Sequence, residues 1–239
     1  MRCTSNVRRT CTMNPRPEVI FFDVGDTLIY IPVERPERIV QTLAQFGITI
    51  DLQKARAAAS QTDEDLRPPG SRPPASIAEE DVYRRAYARC LLENLGITTI
   101  DPELLADGIH YVDYAVCYPE THDVLRALHA KSRLGIISNA PPRLNDALDR
   151  LGLTGYFEVI VNSSLVGVSK PEPAIYEIAL AEMQIPAEVC AFVDDLPPNI
   201  ATAERLGLTG LLVDRQWHYH DAPHRRVADL WPVVDLLAL

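Results

Sequence analysis

The feature that most constrains the fold is a short apolar run that passes directly into polar residues, between Val19 and Leu28. Residues 19–22 are β-branched or aromatic, and the run is too short for a helix, so it predicts a strand buried on both faces. Asp23 follows at the end of this strand. Open α/β sheets bind ligands at the carboxyl ends of their strands, which makes Asp23 a candidate for chemistry. An aspartate here is also typical of a helix N-cap.

Three further groups of polar residues occur at or near the ends of apolar runs later in the chain. They are Ser138-Asn139 after residues 134–137, Lys170 at the start of Lys-Pro-Glu-Pro, and Asp194-Asp195 after residues 190–193. With Asp23, they resemble in order the four motifs of the haloacid dehalogenase superfamily: Asp-x-Asp-x-Thr, a Ser or Thr ending a strand, a Lys, and an acidic pair or spaced acidic residues. Four motifs in order form a specific signal. The resemblance spans about residues 18 to 215.

The resemblance implies an α/β fold, with a Rossmann-like parallel sheet carrying helices on both faces and a small inserted helical cap. Strand and helix alternate after residue 118, a pattern typical of parallel sheets with right-handed crossovers. We predict that the core comprises residues 18–32 and 117–239 and that the cap comprises residues 33–116. Residues 1–17 are basic and resemble a targeting peptide in composition, but they are few and form no apolar face, which favours a disordered tail.

Capping residues and hydrophobic periodicity predict the individual elements. Strands are expected at 19–22, 134–137, 159–161, 190–193 and 210–213. Core helices are expected at 122–131, 142–151, 172–183 and 200–206. Cap helices are expected at 36–46, at 52–66 after Asp51, from a Ser76–Glu79 capping box to residue 94, and from Asp101-Pro102 onward.

Composition excludes several classes of function. The net charge of −10 argues against a nucleic-acid or anionic-membrane surface. No apolar run approaches the roughly 18 residues that span a bilayer. The five cysteines are odd in number and lack metal-ligand spacing, and Cys190 in a predicted strand is expected to act as a small hydrophobe. We expect a cytoplasmic monomer or homodimer that binds neither nucleic acid nor membrane.

Two clusters each allow two interpretations. The first could bind a metal and contains His218, His220, Asp221 and His224. It is better interpreted as a solvated loop, because the cysteines of structural zinc sites are missing. The other is Tyr83 and Tyr87, one helical turn apart. They could line a pocket together, although aromatic residues at this spacing more often form ordinary helix core.

The resemblance implies a role for each motif residue. Asp23 would attack the phosphorus of a phosphate ester and form an aspartyl-phosphate, with Ser138 and Lys170 as the other catalytic residues. Carboxylates are weak nucleophiles, so Lys170 and a bound Mg²⁺ would supply positive charge. Mg²⁺ prefers oxygen ligands. The expected ligands are Asp23, the carbonyl of Gly25, Asp194 and Asp195. The expected substrate-binding residues are Thr27, Ser138, Asn139 and Lys170.

Gly25 departs from the family pattern, because the phosphatases carry a second Asp at this position. That Asp protonates the leaving alcohol and then activates water, a contribution worth about 10²- to 10⁴-fold. Asp26 could substitute, although it is better interpreted as a turn residue. Alternatively, the substrate has a good leaving group, or the protein is a weakened phosphatase that binds phosphorylated ligands.

The 2-haloacid dehalogenases of the superfamily also lack the second Asp and use no Mg²⁺. They carry an aromatic residue where this chain has Gly25, and their fourth motif is rich in Ser and Asn. The adjacent carboxylates of Asp194 and Asp195 would repel each other near Asp23 without a cation, which favours the metal-dependent branch. We therefore expect a Mg²⁺-dependent phosphohydrolase that acts on a small phosphorylated metabolite.

Overall fold

The computed structural model describes residues 16–67 and 70–237. Its strands are β1 (Val19–Phe22), β2 (Ile29–Tyr30), β3 (Val116–Cys117), β4 (Arg133–Ser138), β5 (Val159–Asn162), β6 (Cys190–Asp194), β7 (Thr209–Val213) and β8 (Arg226–Val227). Its α-helices are α1 (Arg35–Gln45), α2 (Leu52–Leu66), α3 (Ile77–Leu95), α4 (Pro102–Gly108), α5 (Tyr111–Tyr114), α6 (Thr121–His129), α7 (Leu144–Arg150), α8 (Ser163–Val166), α9 (Pro173–Met183), α10 (Pro197–Arg205) and α11 (Trp231–Leu237).

The core is a parallel six-stranded sheet in the order β5-β4-β1-β6-β7-β8. Side chains of β1 alternate between the two faces. Ile20 and Phe22 pack into one apolar cluster with α6, α7 and α11, whereas Val19 and Phe21 pack into a second cluster with α9 and α10. All four side chains are fully buried. The predicted α/β fold with helices on both faces of a parallel sheet is therefore confirmed.

Helices α1 to α4 form a separate apolar cluster between β2 and β3 in the chain. Strands β2 and β3 pair antiparallel, so the chain leaves the core and returns to it at adjacent positions. As expected, Asp51 caps α2 by accepting a 2.7 Å hydrogen bond from the Lys54 amide. The predicted capping box of α3 is only half formed, because the Glu79 carboxylate accepts from the amide of Ala75 rather than from that of Ser76. The domain boundaries at residues 33 and 116 stay a prediction.

An ion pair joins the helical region to the core. Arg143, in the loop after β4, binds both carboxylate oxygens of Asp81 on α3 at 2.8 Å. The backbone amide of Arg143 donates a 2.9 Å hydrogen bond to Glu80, the preceding residue of α3. The two regions are thus held together next to the carboxyl end of β4.

Two sequence predictions concern the ends of the described chain. The predicted disordered tail lies outside the described residues except for Arg16 and Pro17, whose carbonyl accepts a hydrogen bond from Ser132. Across residues 16–67 and 70–237, we find no helix that is both long enough and apolar enough to cross a membrane.

Candidate active site

Three neighbouring strands bring polar side chains to one edge of the sheet. Asp23 follows β1, Ser138 ends β4 and Asp194 ends β6, and β1 lies between the other two strands. Because the strands are parallel, their carboxyl ends meet at the same edge. The Ser138 hydroxyl donates a 3.1 Å hydrogen bond to Oδ1 of Asp23. The convergence expected from the sequence is therefore present.

Lys170 reaches this edge from the loop between α8 and α9 and binds two carboxylates. Its Nζ lies 2.5 Å from Oδ1 of Asp23 and 2.7 Å from Oδ2 of Asp194. The Lys170 side chain is only 1% exposed. Burial lowers the pKa of Lys170, but the negative charges of Asp23 and Asp194 outweigh this effect and raise it overall. Lys170 is therefore held as a cation inside the protein.

Asn139, which we expected beside the substrate, holds the main chain of Lys170. Its amide oxygen accepts a 2.8 Å hydrogen bond from the Lys170 amide, and its side-chain nitrogen donates one of 2.8 Å to the Lys170 carbonyl. Both polar groups of the side chain are thus used within the protein. The arrangement positions the main chain of Lys170, and the contact of Asn139 with substrate stays a prediction.

The two acidic residues that follow β6 differ sharply in their surroundings. Oδ1 of Asp194 accepts from the Leu196 amide and from Asn199, and Oδ2 accepts from Lys170 and Asn199. Asp194 is fully buried. Its oxygens are therefore occupied by protein donors. Asn199 lies in the first turn of α10, and our sequence reasoning missed it because a single Asn near a helix start carries no specific signal.

Asp195 is half-buried, and its carboxylate makes no hydrogen bond to another residue in the described parts of the chain. Burial raises the pKa of Asp195 to about 7, and the charges of Asp194 and Asp23 contribute to the same shift. Neighbouring strand-end residues point to opposite sides, so one carboxylate is buried with Lys170 while the next remains unpaired. Around Asp195, at the end of β6, the site therefore carries more negative than positive charge.

The loop after Asp23 is open at Gly25. Gly25 is exposed and does not adopt a left-handed backbone conformation, and a Cβ atom added there would meet no atom within 4 Å. The backbone hydrogen bonds of the loop run from Ile29 to the Val24 carbonyl and from Asp26 to the Ile29 carbonyl, so they leave the Gly25 carbonyl free. Asp26 is exposed and has a φ of 53°, which fits its interpretation as a turn residue.

Thr27, also expected to contact substrate, is fully buried beneath this loop. In this conformation its side chain offers no surface to a ligand. Its carbonyl accepts a 2.8 Å hydrogen bond from Arg215, which also forms an ion pair of 2.8 Å with Glu120 and stacks on the ring of Tyr118. Arg215 therefore fixes the loop from a distant part of the chain, and no sequence motif marked it.

The edge offers oxygen atoms to a hard divalent cation, although within the described ranges no three His, Cys, Asp or Glu side chains form a metal-binding group by themselves. Asp194 is a poor ligand because its oxygens are occupied. Among the described residues, donors to Asp23 lie only at Oδ1, and neither the Asp195 carboxylate nor the Gly25 carbonyl has a donor. This donor set fits Mg²⁺. Burial first, and then the charges of Asp194 and Asp23, raise the pKa of Asp195, and a bound cation would favour its charged form.

Two members of the histidine cluster near the carboxyl terminus contact acidic residues of the protein. Nδ1 of His224 lies 2.9 Å from a carboxylate oxygen of Glu204, and the amide of His218 donates to Asp214. Its interpretation as a solvated loop stays a prediction.

Comparison with known proteins assigns the family. The model of the haloacid dehalogenase-like hydrolases matches residues 17–207. The chain is 27% identical over 209 residues to the haloacid dehalogenase-like hydrolase domain-containing protein 3 of Danio rerio, covering 82% of this chain and 85% of that protein. It is 25% identical over 201 residues to the glyceraldehyde 3-phosphate phosphatase of Methanocaldococcus jannaschii, covering 79% and 81%.

Among solved structures, the 2-haloacid dehalogenase of Pseudomonas syringae pv. Tomato DC3000 superimposes with a TM-score of 0.61 and 23% identity, covering 93% of this chain and 98% of that one. At this level of identity the likeness shows the fold alone. The match to the family model spans the inserted helices and four of the six strands of the sheet, β1, β4, β5 and β6. The chain therefore belongs to the haloacid dehalogenase-like hydrolase family.

Proposed function

We propose that the chain is a Mg²⁺-dependent phosphohydrolase that acts on a small phosphorylated metabolite through an aspartyl-phosphate on Asp23. The observation that carries the proposal is the arrangement of Asp23, with Ser138 and Lys170 both bound to its Oδ1. The similarity to a glyceraldehyde 3-phosphate phosphatase supports a phosphate ester as substrate.

The two carboxylate oxygens of Asp23 have different roles in the proposed reaction. One would form a bond with phosphorus and the other would bind Mg²⁺, and Ser138 and Lys170 both lie within hydrogen-bond distance of Oδ1. As the bond to phosphorus forms, the bond between phosphorus and the ester oxygen breaks, and the leaving group departs with the electron pair as an alkoxide that takes its proton from water. Ser138 and Lys170 would then donate to the phosphoryl oxygens, where charge develops. Asp194 and Asn139 keep Lys170 in place during this step.

The proposed Mg²⁺ ligands are Asp23, Asp195 and the Gly25 carbonyl, with Asp194 reserved for Lys170. A bound Mg²⁺ would neutralise the charge of the incoming phosphate and orient it for in-line attack. This assignment narrows the expectation from sequence, which treated Asp194 and Asp195 alike.

Gly25 affects both halves of the proposed reaction. With no carboxylate at this position, no side chain of residue 25 protonates the leaving alcohol, and none activates water against the aspartyl-phosphate. Esters with acidic leaving groups need no proton donor in the first half of the reaction, but the second half still lacks the base that activates water. We expect 4-nitrophenyl phosphate to give a rapid burst of 4-nitrophenol equal to the enzyme concentration, followed by slow turnover.

The first test measures phosphate release from 4-nitrophenyl phosphate with Mg²⁺ and with a chelator. Activity should need Mg²⁺ and should fall by roughly 10³-fold or more in Asp23→Asn, which removes the nucleophile. Asp221→Asn, the same substitution at an exposed residue, should retain wild-type activity. Activity indifferent to Mg²⁺ or to Asp23→Asn would overturn the proposal.

The second test restores the missing carboxylate. Gly25→Asp should raise steady-state turnover about 10²- to 10⁴-fold, because a general acid and base is added where a side chain has room. Gly25→Asn has nearly the same size and cannot transfer the proton, so it is the matched control. Equal rates in Gly25→Asp and wild type would show that proton transfer does not limit turnover.

Gly25 also favours a second candidate function, the binding of a phosphorylated ligand without turnover. This candidate predicts Mg²⁺-dependent binding of a phosphate mimic and no phosphate release from any ester tested. The dehalogenase alternative predicts halide release from a 2-haloacid in the presence of chelator. The buried pair of Asp194 and Lys170 beside an unpaired Asp195 favours the metal-dependent reaction over it.

A further inference from the structure

A cavity of about 360 Å³ lies between the helical region and the core. We call it the cap cavity; its walls include Arg38, Tyr83 and Tyr87 from the helices and Asn139 and Ala140 from the core. The cavity therefore reaches Asn139, and the preceding residue, Ser138, contacts Asp23. A volume near the lower end of the range for ligand pockets suits a small molecule. Both tyrosines line it, and Tyr87 also belongs to the apolar cluster of the helices.

Arg38 is the unusual member of this wall. It lies on α1, is 7% exposed, and its Nε and Nη1 atoms have no hydrogen-bond partner among the described residues. The guanidinium group lies 5.3 Å from the centre of the Tyr114 ring. It forms no ion pair with any carboxylate of the described chain. Buried cations are normally paired, because desolvation of an unpaired charge is costly. Burial and the charge of Arg35 lower the pKa of Arg38.

Two other arginines of the wall are paired with protein groups, whereas Arg67 is exposed and lies over the Tyr83 ring, 4.7 Å from its centre. Arg35 binds Asp63 at 2.9 Å and Tyr87 at 3.2 Å. Arg84 binds Asp107 at 2.8 Å.

The single carboxylate in the cavity wall of the described chain, that of Glu80, accepts from the Arg143 amide and lies 3.5 Å from His110. The hydroxyl of Tyr111, also in the wall, has no hydrogen-bond partner in the described protein. The cavity therefore presents an excess of positive charge and unused donors.

We infer that the cap cavity binds a second anionic group of the substrate, a carboxylate or a phosphate, and that Arg38 is its main ligand. The inference rests on the proposed function, since it places the reacting phosphate at Asp23 and the second group in the adjoining cavity. A guanidinium binds either anion through parallel N–H bonds, so both satisfy the same chemistry. The substrate class is then a short organic phosphate with an anionic group at its other end.

The test compares matched pairs of phosphate esters. Phosphooxy carboxylates of two to four carbons are set against hydroxyalkyl phosphates of the same length, and alkanediol bisphosphates form a third series. We expect kcat/KM of the wild type to be at least about 30-fold higher for the anionic member of each pair, as for the pairing of a buried charge. The series with the higher kcat/KM identifies the anion as carboxylate or phosphate.

Variants connect this preference to Arg38. In Arg38→Gln the ratio of kcat/KM between anionic and neutral partners should fall towards one, and in Arg38→Lys it should be partly retained. Arg89→Gln, the same substitution at an exposed residue of α3, should keep the wild-type ratio. Because each ratio is taken within one protein, a general loss of activity cancels. A wild type without preference, or a preference that survives in Arg38→Gln, would overturn the inference.

The two proposals fail in different ways. If 4-nitrophenyl phosphate is hydrolysed but the anionic esters are not preferred, the phosphohydrolase proposal is supported and the anion-site inference is wrong. If no ester is hydrolysed, the phosphohydrolase proposal is wrong. The anion site is then tested by calorimetry with Mg²⁺ present, as the ratio of the affinities for the anionic and neutral members of each pair.

Discussion

The sheet edge and the wall of the cap cavity differ in how their buried cations are paired. Lys170 at the sheet edge binds two carboxylates, those of Asp23 and Asp194. Arg38 in the cavity wall is buried to a similar degree and forms no ion pair within the described chain. The charges at the edge are therefore already paired within the protein, whereas the cavity wall holds a cation that, on our inference, an anionic ligand pairs.

The largest effect should come from breaking the paired region. Lys170→Met leaves the buried carboxylates of Asp23 and Asp194 without their cation, so the free energy of unfolding should fall by about 3–5 kcal/mol. Urea denaturation measures this loss. Lys54→Met, at an exposed residue of α2, should change the free energy by no more than about 0.5 kcal/mol. A wild-type unfolding curve for Lys170→Met would contradict the pairing.

The unpaired region should respond in the opposite direction. Arg38→Met removes a buried charge but keeps an apolar side chain, so without ligand the free energy of unfolding should rise by about 1 kcal/mol or more. The measurement is again urea denaturation, with Arg89→Met as the control at an exposed position. A destabilised Arg38→Met protein would mean that Arg38 already stabilises the helical region, and the contrast with Lys170 would disappear.

The smallest effect concerns the ion pair that joins the two regions. Arg143 holds the pKa of Asp81 below its usual value of 3.8, mainly through the hydrogen bonds between them. A lowered pKa means that the pair stabilises the fold fully above pH 3.8 and loses this effect as the pH falls through the folded-state value. Asp81→Asn should therefore cost about 1 kcal/mol at pH 7 and progressively less below pH 3.8.

The control for this prediction is Asp123→Asn, which breaks an exposed pair with Arg126 within α6. It should change the free energy of unfolding by a few tenths of a kcal/mol at most, roughly the value of a helix-surface pair. Denaturation curves of both variants across the pH range make the comparison. A difference for Asp81→Asn that stays constant down to pH 3 would mean that the ion pair contributes nothing.

Much of the sheet and its polar edge could be predicted, because both follow from local patterns. An apolar run of four residues predicted β1, and the polar residues after β1, β4 and β6 were expected to meet at one edge. Elements of two to four residues were missed, including β2, β3, β8 and α8. Such elements are too short for periodicity to show and depend on partners elsewhere in the chain.

The chemistry of single side chains was harder to predict than their positions. The sequence does not distinguish Asp194 from Asp195, because the orientation of each at the strand end decides which one meets Lys170. Arg215 contacts the loop 188 positions away in the chain, and no local pattern marks such a pair. Arg38 resembles any helical arginine in sequence, and only its burial in the fold distinguishes it.

If the proposed phosphohydrolase reaction is correct, the open space at Gly25 has a consequence for the choice of buffer. A small weak acid such as formate would then have room to enter from solution and perform the proton transfer that a fixed carboxylate would perform. The rate of the second half-reaction would then depend on the buffer, because the group that transfers the proton would come from solution and not from the protein.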